Sequence, residues 1–142
     1  MKILIVDDTR LMLRILVKLL HQHGFETLEA MSGAEAISQL STDPDIVAVI
    51  TDLDMEPING VELFRATQSL FESSEFSSQS APPFILLTAH SGNPKEQLRM
   101  CDEMEFANRA FDAVLQKPIV EEELLDALNR LMQPILFSET SV

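Results

Sequence analysis

Five residues of this chain carry chemistry, and each falls at or just past the end of a strand-like run. Asp7 and Asp8 follow the apolar run of residues 2–6. Asp52 follows residues 46–51, Thr88 follows 84–87, and Lys117 follows 113–116. In an open parallel α/β sheet, ligands bind outside the carboxyl ends of the strands. On such a sheet the five would share one rim. Three carboxylates, a hydroxyl and an ammonium together describe a site for a divalent cation and a transferable phosphoryl group.

The carboxylates argue most strongly. Alone, Asp7 and Asp8 read as helix caps, because Asp before a helix is common, and Asp52 reads as a polar loop residue. Together they fall at the ends of two strands expected to be central neighbours. Two carboxylates about 4 Å apart repel by roughly 4 kcal/mol at an effective dielectric of 20. Either one takes up a proton or a cation sits between them. A hard cation with oxygen ligands and retained waters suits Mg²⁺. Lys117 alone reads as a surface charge and Thr88 as an ordinary strand-end threonine. On this rim the ammonium neutralises phosphoryl oxygens and the hydroxyl donates to them.

The elements that must place these residues are legible. Strand-like runs over 2–6, 26–30, 46–51, 84–87 and 113–116 alternate with helical patterns. The first helix spans about 9–23 and stops at Gly24. Ser32 and Glu35 form an S-x-x-E capping box that opens a second helix to about Leu40. The run at 46–51 is almost wholly apolar, as a central strand covered on both faces should be. A third helix follows Gly60 to about Leu70. Asn93, Pro94 and Glu96 open a fourth, reaching about Phe106. The last covers about 120–132. This alternation implies an α/β fold with a doubly wound parallel sheet and helices on both faces. The Ser-, Glu- and Pro-rich stretch 71–83 reads as a solvated loop, and the tail after Gln133 as loosely held.

Bulk properties narrow the function. The 142 residues suffice for one domain, read as residues 1–133 followed by a flexible tail at 134–142. Hydrophobic residues make up 46%, which excludes a disordered chain. A net charge of −13 argues against binding DNA, RNA or an anionic membrane. No run reaches membrane-spanning length, and the first residues lack the pattern of a signal peptide. The single cysteine, Cys101, excludes an internal disulfide framework and reads as buried or inert. The expected compartment is the cytoplasm. His21 and His23 read as a helix end rather than a metal site, and the methionines as core fill.

These residues resemble the response-regulator receiver domains of two-component signalling, particularly the stand-alone chemotaxis-type ones. The resemblance spans nearly the whole chain. It rests on VDD at 6–8, TDLDMEPINGVEL at 51–63, TA at 88–89 and KP at 117–118, in order and at workable spacing. It implies a flavodoxin-like five-stranded sheet in the order 2-1-3-4-5. It also implies that Asp52 accepts a phosphoryl group from a histidine kinase or histidine phosphotransfer protein. Asp8 would ligate Mg²⁺ directly, Asp7 through water or hydrogen bonding, and Asp54 through its backbone carbonyl. Lys117 and Thr88 would contact the phosphoryl oxygens, and Lys117–Pro118 would be cis. Asp54 and His90 would flank the phosphoryl group.

The resemblance also assigns surfaces. Arg10, Arg14 and Lys18 recur every four residues and line one face of the first helix, which would dock the phosphodonor. The face made by the fourth helix, fifth strand and last helix would carry the output to a downstream protein. That face bears Asp102, Glu103 and Glu105, then Glu121, Glu122 and Glu123. With no output domain in the chain, output is expected through protein–protein contact. The chain departs from the family in spacing, with longer stretches from Gly60 to Thr88 and from Thr88 to Lys117 than in compact members, and in two motif positions. Proline stands one position late, in Met55–Glu56–Pro57, and Val114 stands three before Lys117, where Tyr or Phe is usual. Two other readings share these residues. One is a phosphorylation-independent pseudo-receiver used only for docking. The other is a haloacid-dehalogenase-type phosphatase, suggested by Asp52-Leu53-Asp54. That motif normally follows the first strand and continues to Thr or Val, whereas Glu56 stands here, and the chain has no room for a cap.

Overall fold

The computed structural model describes residues 1–73, 80–89, 106 and 110–140, with side chains of the last stretch described to Met132. In chain order the elements are β1 (Lys2–Val6), α1 (Arg10–Gln22), β2 (Glu26–Ala30), α2 (Gly33–Thr42), β3 (Ile46–Asp52), α3 (Gly60–Glu72), β4 (Phe84–Thr88), β5 (Ala113–Gln116) and α4 (Glu121–Thr140). The strands form one parallel sheet in the order β2-β1-β3-β4-β5. This is the expected flavodoxin-like order.

Strand periodicity divides the core. Successive side chains point to opposite faces, so Ile3 and Ile5 go one way, Leu4 and Val6 the other. Ile3, Ile5, Ile50 and Leu87 pack with Leu13, Leu16 and Leu20 of α1 and with Leu124 and Leu128 of α4. Leu4, Val6, Val49 and Leu86 pack with Ala36 and Leu40 of α2 and with Val61 and Leu63 of α3. The sheet is therefore wound on both faces. β4 is buried along its whole length, and β3 in all but one position, as the nearly unbroken apolar run of β3 requires.

Register levels the strand ends. Val6 pairs with Thr51, Asp52 with Leu87, and Thr88 with Gln116. β3 and β4 each run one residue further than the sequence suggests, so Asp52 and Thr88 are the last strand residues rather than the first loop residues. Asp7, Asp8 and Lys117 lie just beyond the ends of β1 and β5.

Local sequence explains most helix ends. Ser32 caps α2, accepting from the Glu35 N–H at 3.1 Å. The reciprocal half of the expected box is absent, because Glu35 Oε2 accepts from the Met31 N–H instead. A complete box opens α3: the Glu62 N–H donates to Asn59 Oδ1 at 2.9 Å and the Asn59 N–H to Glu62 Oε1 at 3.1 Å. Gly24 follows α1 at a φ of +84°, which glycine adopts without steric cost.

At its far end the last helix differs from expectation, running through Pro134 to Thr140 rather than ending near Met132. A proline removes a single backbone donor, and the helix continues past that loss. The expected fourth helix lies outside the described residues except for Phe106, which is helical. Of the expected loop at 71–83, residues 71–72 belong to α3 and 74–79 lie outside the described residues. Among the described residues, no helix is long and apolar enough to cross a membrane.

Candidate metal and phosphoryl site

Asp7 and Asp52 are buried, at 1% and 5% exposure, while Asp8 is open to solvent. One carboxylate oxygen from each of the three lies within 4.8 Å of the others. Lys117 Nζ stands 3.0 Å from Asp52 Oδ1 and 3.7 Å from Asp7 Oδ2. The sequence reading of a shared rim is realised for these four residues.

Each side chain is set by its element. β1 ends in a turn in which Asp7 Oδ1 accepts from the Thr9 N–H at 2.9 Å. This leaves Asp7 Oδ2 facing the site. The Asp7 N–H donates to the Ala30 carbonyl, continuing the pairing to β2. Beyond Asp52, the Leu53 N–H donates to the Leu87 carbonyl at 2.8 Å and the Gly60 N–H to the Leu53 carbonyl at 3.0 Å. A Cβ on Gly60 would lie 2.5 Å from the Asp52 carbonyl oxygen and 2.8 Å from Leu86 Cδ1. Only glycine lets α3 start this close to β3.

Lys117 is positioned by β4: its N–H donates to the Thr88 carbonyl at 2.8 Å. Thr88 is 2% exposed, and its hydroxyl makes a long contact of 3.4 Å with the Ala89 carbonyl. Lys117–Pro118 is cis, and so is Glu56–Pro57.

The charge balance favours a cation. Three carboxylates face one ammonium. Asp7 Oδ2 is buried without a hydrogen-bond partner among the described residues, a state that costs about 1–3 kcal/mol and more for an ion, and the equally buried Asp52 Oδ1 faces the Lys117 ammonium at 3.0 Å. Burial pushes the Asp52 carboxyl above its ordinary value; Lys117 pulls it back, and the charges of Asp7 and Asp54 push it up further. Two buried carboxylate oxygens that share a single ammonium, with a third carboxylate oxygen within 4.8 Å, fit a small hard cation. These donors match Mg²⁺ in ligand type.

The remaining sequence candidates fall in other places. Asp54 is exposed on the loop leaving β3. His90, Cys101, Asp102, Glu103 and Glu105 lie outside the described residues. His21 bonds Thr27 Oγ1 at 2.9 Å and His23 bonds Glu121 Oε1 at 2.7 Å, so the two rings serve separate neighbours. Val114 is half-buried against the α2/α3 side of the core. The rings on that side gather elsewhere. Phe64, Phe84 and Phe111 meet edge-on or tilted with centroids 4.7–6.0 Å apart, and Phe84 opens β4 at the end away from Thr88. Arg10, Arg14 and Lys18 are exposed on α1 and form no ion pair among the described residues.

The profile of the response regulator receiver domain matches residues 3–129. The chain belongs to that family. It is 36% identical over 93 residues to chemotaxis protein CheY1 of Helicobacter pylori, covering 65% of this chain and 70% of that protein. It is 31% identical over 132 residues to protein PilH of Pseudomonas aeruginosa, covering 92% of this chain and 97% of that one. Some other curated relatives are much longer; the chain spans 26% of the transcriptional regulatory protein GlrR of Escherichia coli. Among solved structures, a response regulator receiver domain protein from Clostridium thermocellum superposes with a TM-score of 0.72 at 25% identity, covering 96% of this chain and 97% of that one. The chain is thus a receiver domain of the response-regulator class, a family of signalling modules. Receiver domains interact with histidine kinases or phosphotransfer proteins and typically bind Mg²⁺ in an acidic pocket.

Proposed function

We propose that this chain accepts a phosphoryl group on Asp52 from a phosphohistidine donor, in a Mg²⁺-dependent phosphorelay, and signals onward by protein contact in the cytoplasm. The observation that carries this reading is the buried Asp52 carboxylate held 3.0 Å from Lys117 Nζ beside two further carboxylates. A carboxylate oxygen of Asp52 attacks phosphorus, the phosphorus–nitrogen bond of the donor breaks, and the departing imidazole keeps the electron pair and takes a proton. The product is an acyl phosphate.

Such a transfer requires alignment and charge neutralisation more than covalent machinery. Lys117 would pair with phosphoryl oxygens, and the Thr88 hydroxyl would leave its long contact and donate to them. Asp7, Asp8, Asp52 and the Asp54 carbonyl would hold Mg²⁺, which supplies positive charge against the phosphoryl oxygens. Arg10, Arg14 and Lys18 would meet the donor. Leu11 and Ile15, 66% and 46% exposed on the same helix, add apolar contact. Output would leave through the side that carries β5 and the start of α4, where Glu121, Glu122 and Glu123 are exposed.

Transfer of radiolabelled phosphate from a panel of autophosphorylated histidine kinases tests this. At least one kinase should label the wild-type chain and fail to label Asp52→Asn. Labelling of Asp52→Asn at the wild-type rate rejects the assignment.

A further inference from the structure

The loop between β3 and α3 carries Asp54 past Asp52, and little in its own backbone fixes it. The Met55 and Gly60 N–H groups both donate to the Leu53 carbonyl, at 3.1 and 3.0 Å. The Asn59 N–H donates to Glu62 Oε1. Between these, residues 56–58 make no backbone hydrogen bond among the described residues, and neither does Asp54.

One side chain holds the middle of this loop. Ile58 is half-buried against the core cluster that includes Val6, Leu53, Met55 and Val61. It also reaches α2. A Cβ built on Gly33, the first residue of that helix, would overlap Cγ1 and Cδ1 of Ile58, with Ile58 Cβ 3.9 Å away. The end of the Ile58 side chain thus lies where any other residue at 33 would put its own Cβ. β1 lies between β2 and β3 in the sheet. The contact therefore ties the chain leaving β3 to the chain leaving β2, on either side of the strand that leads into Asp7.

Mg²⁺ tolerates little error in its ligands. It demands near-octahedral geometry at about 2.0–2.1 Å, and a ligand on a loop that must order on binding loses affinity to that ordering. A backbone carbonyl has no rotamer of its own, so it goes where the loop goes. The geometry points to Ile58, seated in the notch at Gly33, as the positioning residue that holds the β3–α3 loop so that the Asp54 carbonyl meets the cation. This rests on the proposed Mg²⁺ site and adds to it two residues, Ile58 and Gly33, that would touch neither the metal nor the phosphoryl group.

Isothermal titration calorimetry of the full chain tests this, with Mg²⁺ and Ca²⁺ as probes, on variants shown to be folded by circular dichroism. Ile58→Ala empties the notch and should raise the Kd for Mg²⁺ about tenfold, the scale on which residues that orient metal ligands act. Gly33→Ala fills the notch, evicts Ile58 and should do the same; it carries the test if Ile58→Ala does not fold. Together the two should cost no more than either alone, because the new methyl occupies the space that Ile58 vacates. Leu40→Ala, in the same core but near the other end of α2, should change the Kd by less than about twofold. Ca²⁺ accepts more varied geometry, so its Kd should rise less than that of Mg²⁺. A wild-type Kd for Mg²⁺ in Ile58→Ala or Gly33→Ala overturns the inference. So do losses that multiply in the double variant, an equal loss in Leu40→Ala, and an equal loss for both ions. A wild-type chain that binds no Mg²⁺ overturns it as well. Failure of acetyl phosphate to label Asp52 on a chain that still binds Mg²⁺ rejects the acceptor reading alone.

Discussion

Lys117 holds its ammonium 3.0 Å from one oxygen of Asp52, yet the Asp52 carboxyl still lies above its ordinary value of 3.8. Burial outweighs the counter-charge. The folded protein therefore favours the protonated acid relative to the unfolded chain. Ionised Asp52 costs stability above its raised pKa, and the cost fades as pH falls through that value toward 3.8. In Mg²⁺-free buffer at pH 7, Asp52→Asn should melt higher than wild type, and the gap should close as the medium is acidified. A lower melting temperature for Asp52→Asn at pH 7 would contradict this balance.

Mg²⁺ should stabilise the fold by relieving repulsion among Asp7, Asp8 and Asp52. Ligand linkage gives about 2.7 kcal/mol at a hundredfold excess over Kd. Asp8 is exposed, so Asp8→Ala removes a proposed ligand while leaving the core intact. Thermal melts with and without Mg²⁺ should show the rise in wild type and its loss in Asp8→Ala. An equal rise in both places the metal elsewhere.

Gly60→Ala should destabilise the fold by about 1–3 kcal/mol, the usual range for overpacking. Its Cβ would press on the Asp52 carbonyl at 2.5 Å, where backbone rather than a flexible side chain must give way. Urea denaturation measures the loss. β3, which carries Asp52, should move with it, so labelling by acetyl phosphate should also slow. A variant as stable as wild type would show that the close approach is not retained in solution.

Signal transmission should bypass the ring rotation usual in the family. Val114 has no ring, and its β-branched side chain is stiff about χ1. Activation is expected to pass through the backbone of residues 90–93 and the helix expected to follow, toward a partner whose basic surface binds less tightly at higher salt. Amide exchange with and without beryllofluoride tests this. Binding of the mimic at Asp52 with no change in residues 91–106, or with change confined to α1, would defeat it.

Asp7, Asp8, Asp52 and Lys117 were legible because a parallel α/β sheet gathers strand ends, and strand ends show as breaks in apolar runs. The order β2-β1-β3-β4-β5 came from family resemblance alone, since periodicity does not say which strands are neighbours. The α2 box was half right: Ser32 caps as its type dictates, but the reach of Glu35 to the Met31 N–H depends on how the chain enters the helix. The full box at Asn59 and Glu62 follows the same spacing rule with Asn in place of Ser, and that was the missed signal. The approach of Gly60 to Asp52 is a tertiary fact that no local pattern encodes.

The central claim is that Asp52 is the phospho-acceptor, and intact-mass measurement after incubation with acetyl phosphate and Mg²⁺ tests it most directly. The account predicts a single added phosphoryl group on the wild-type chain, absent when Mg²⁺ is chelated, absent in Asp52→Asn, and removed by hydroxylamine as an acyl phosphate must be. A phosphoryl adduct on Asp52→Asn at wild-type extent, stable to hydroxylamine, would contradict it.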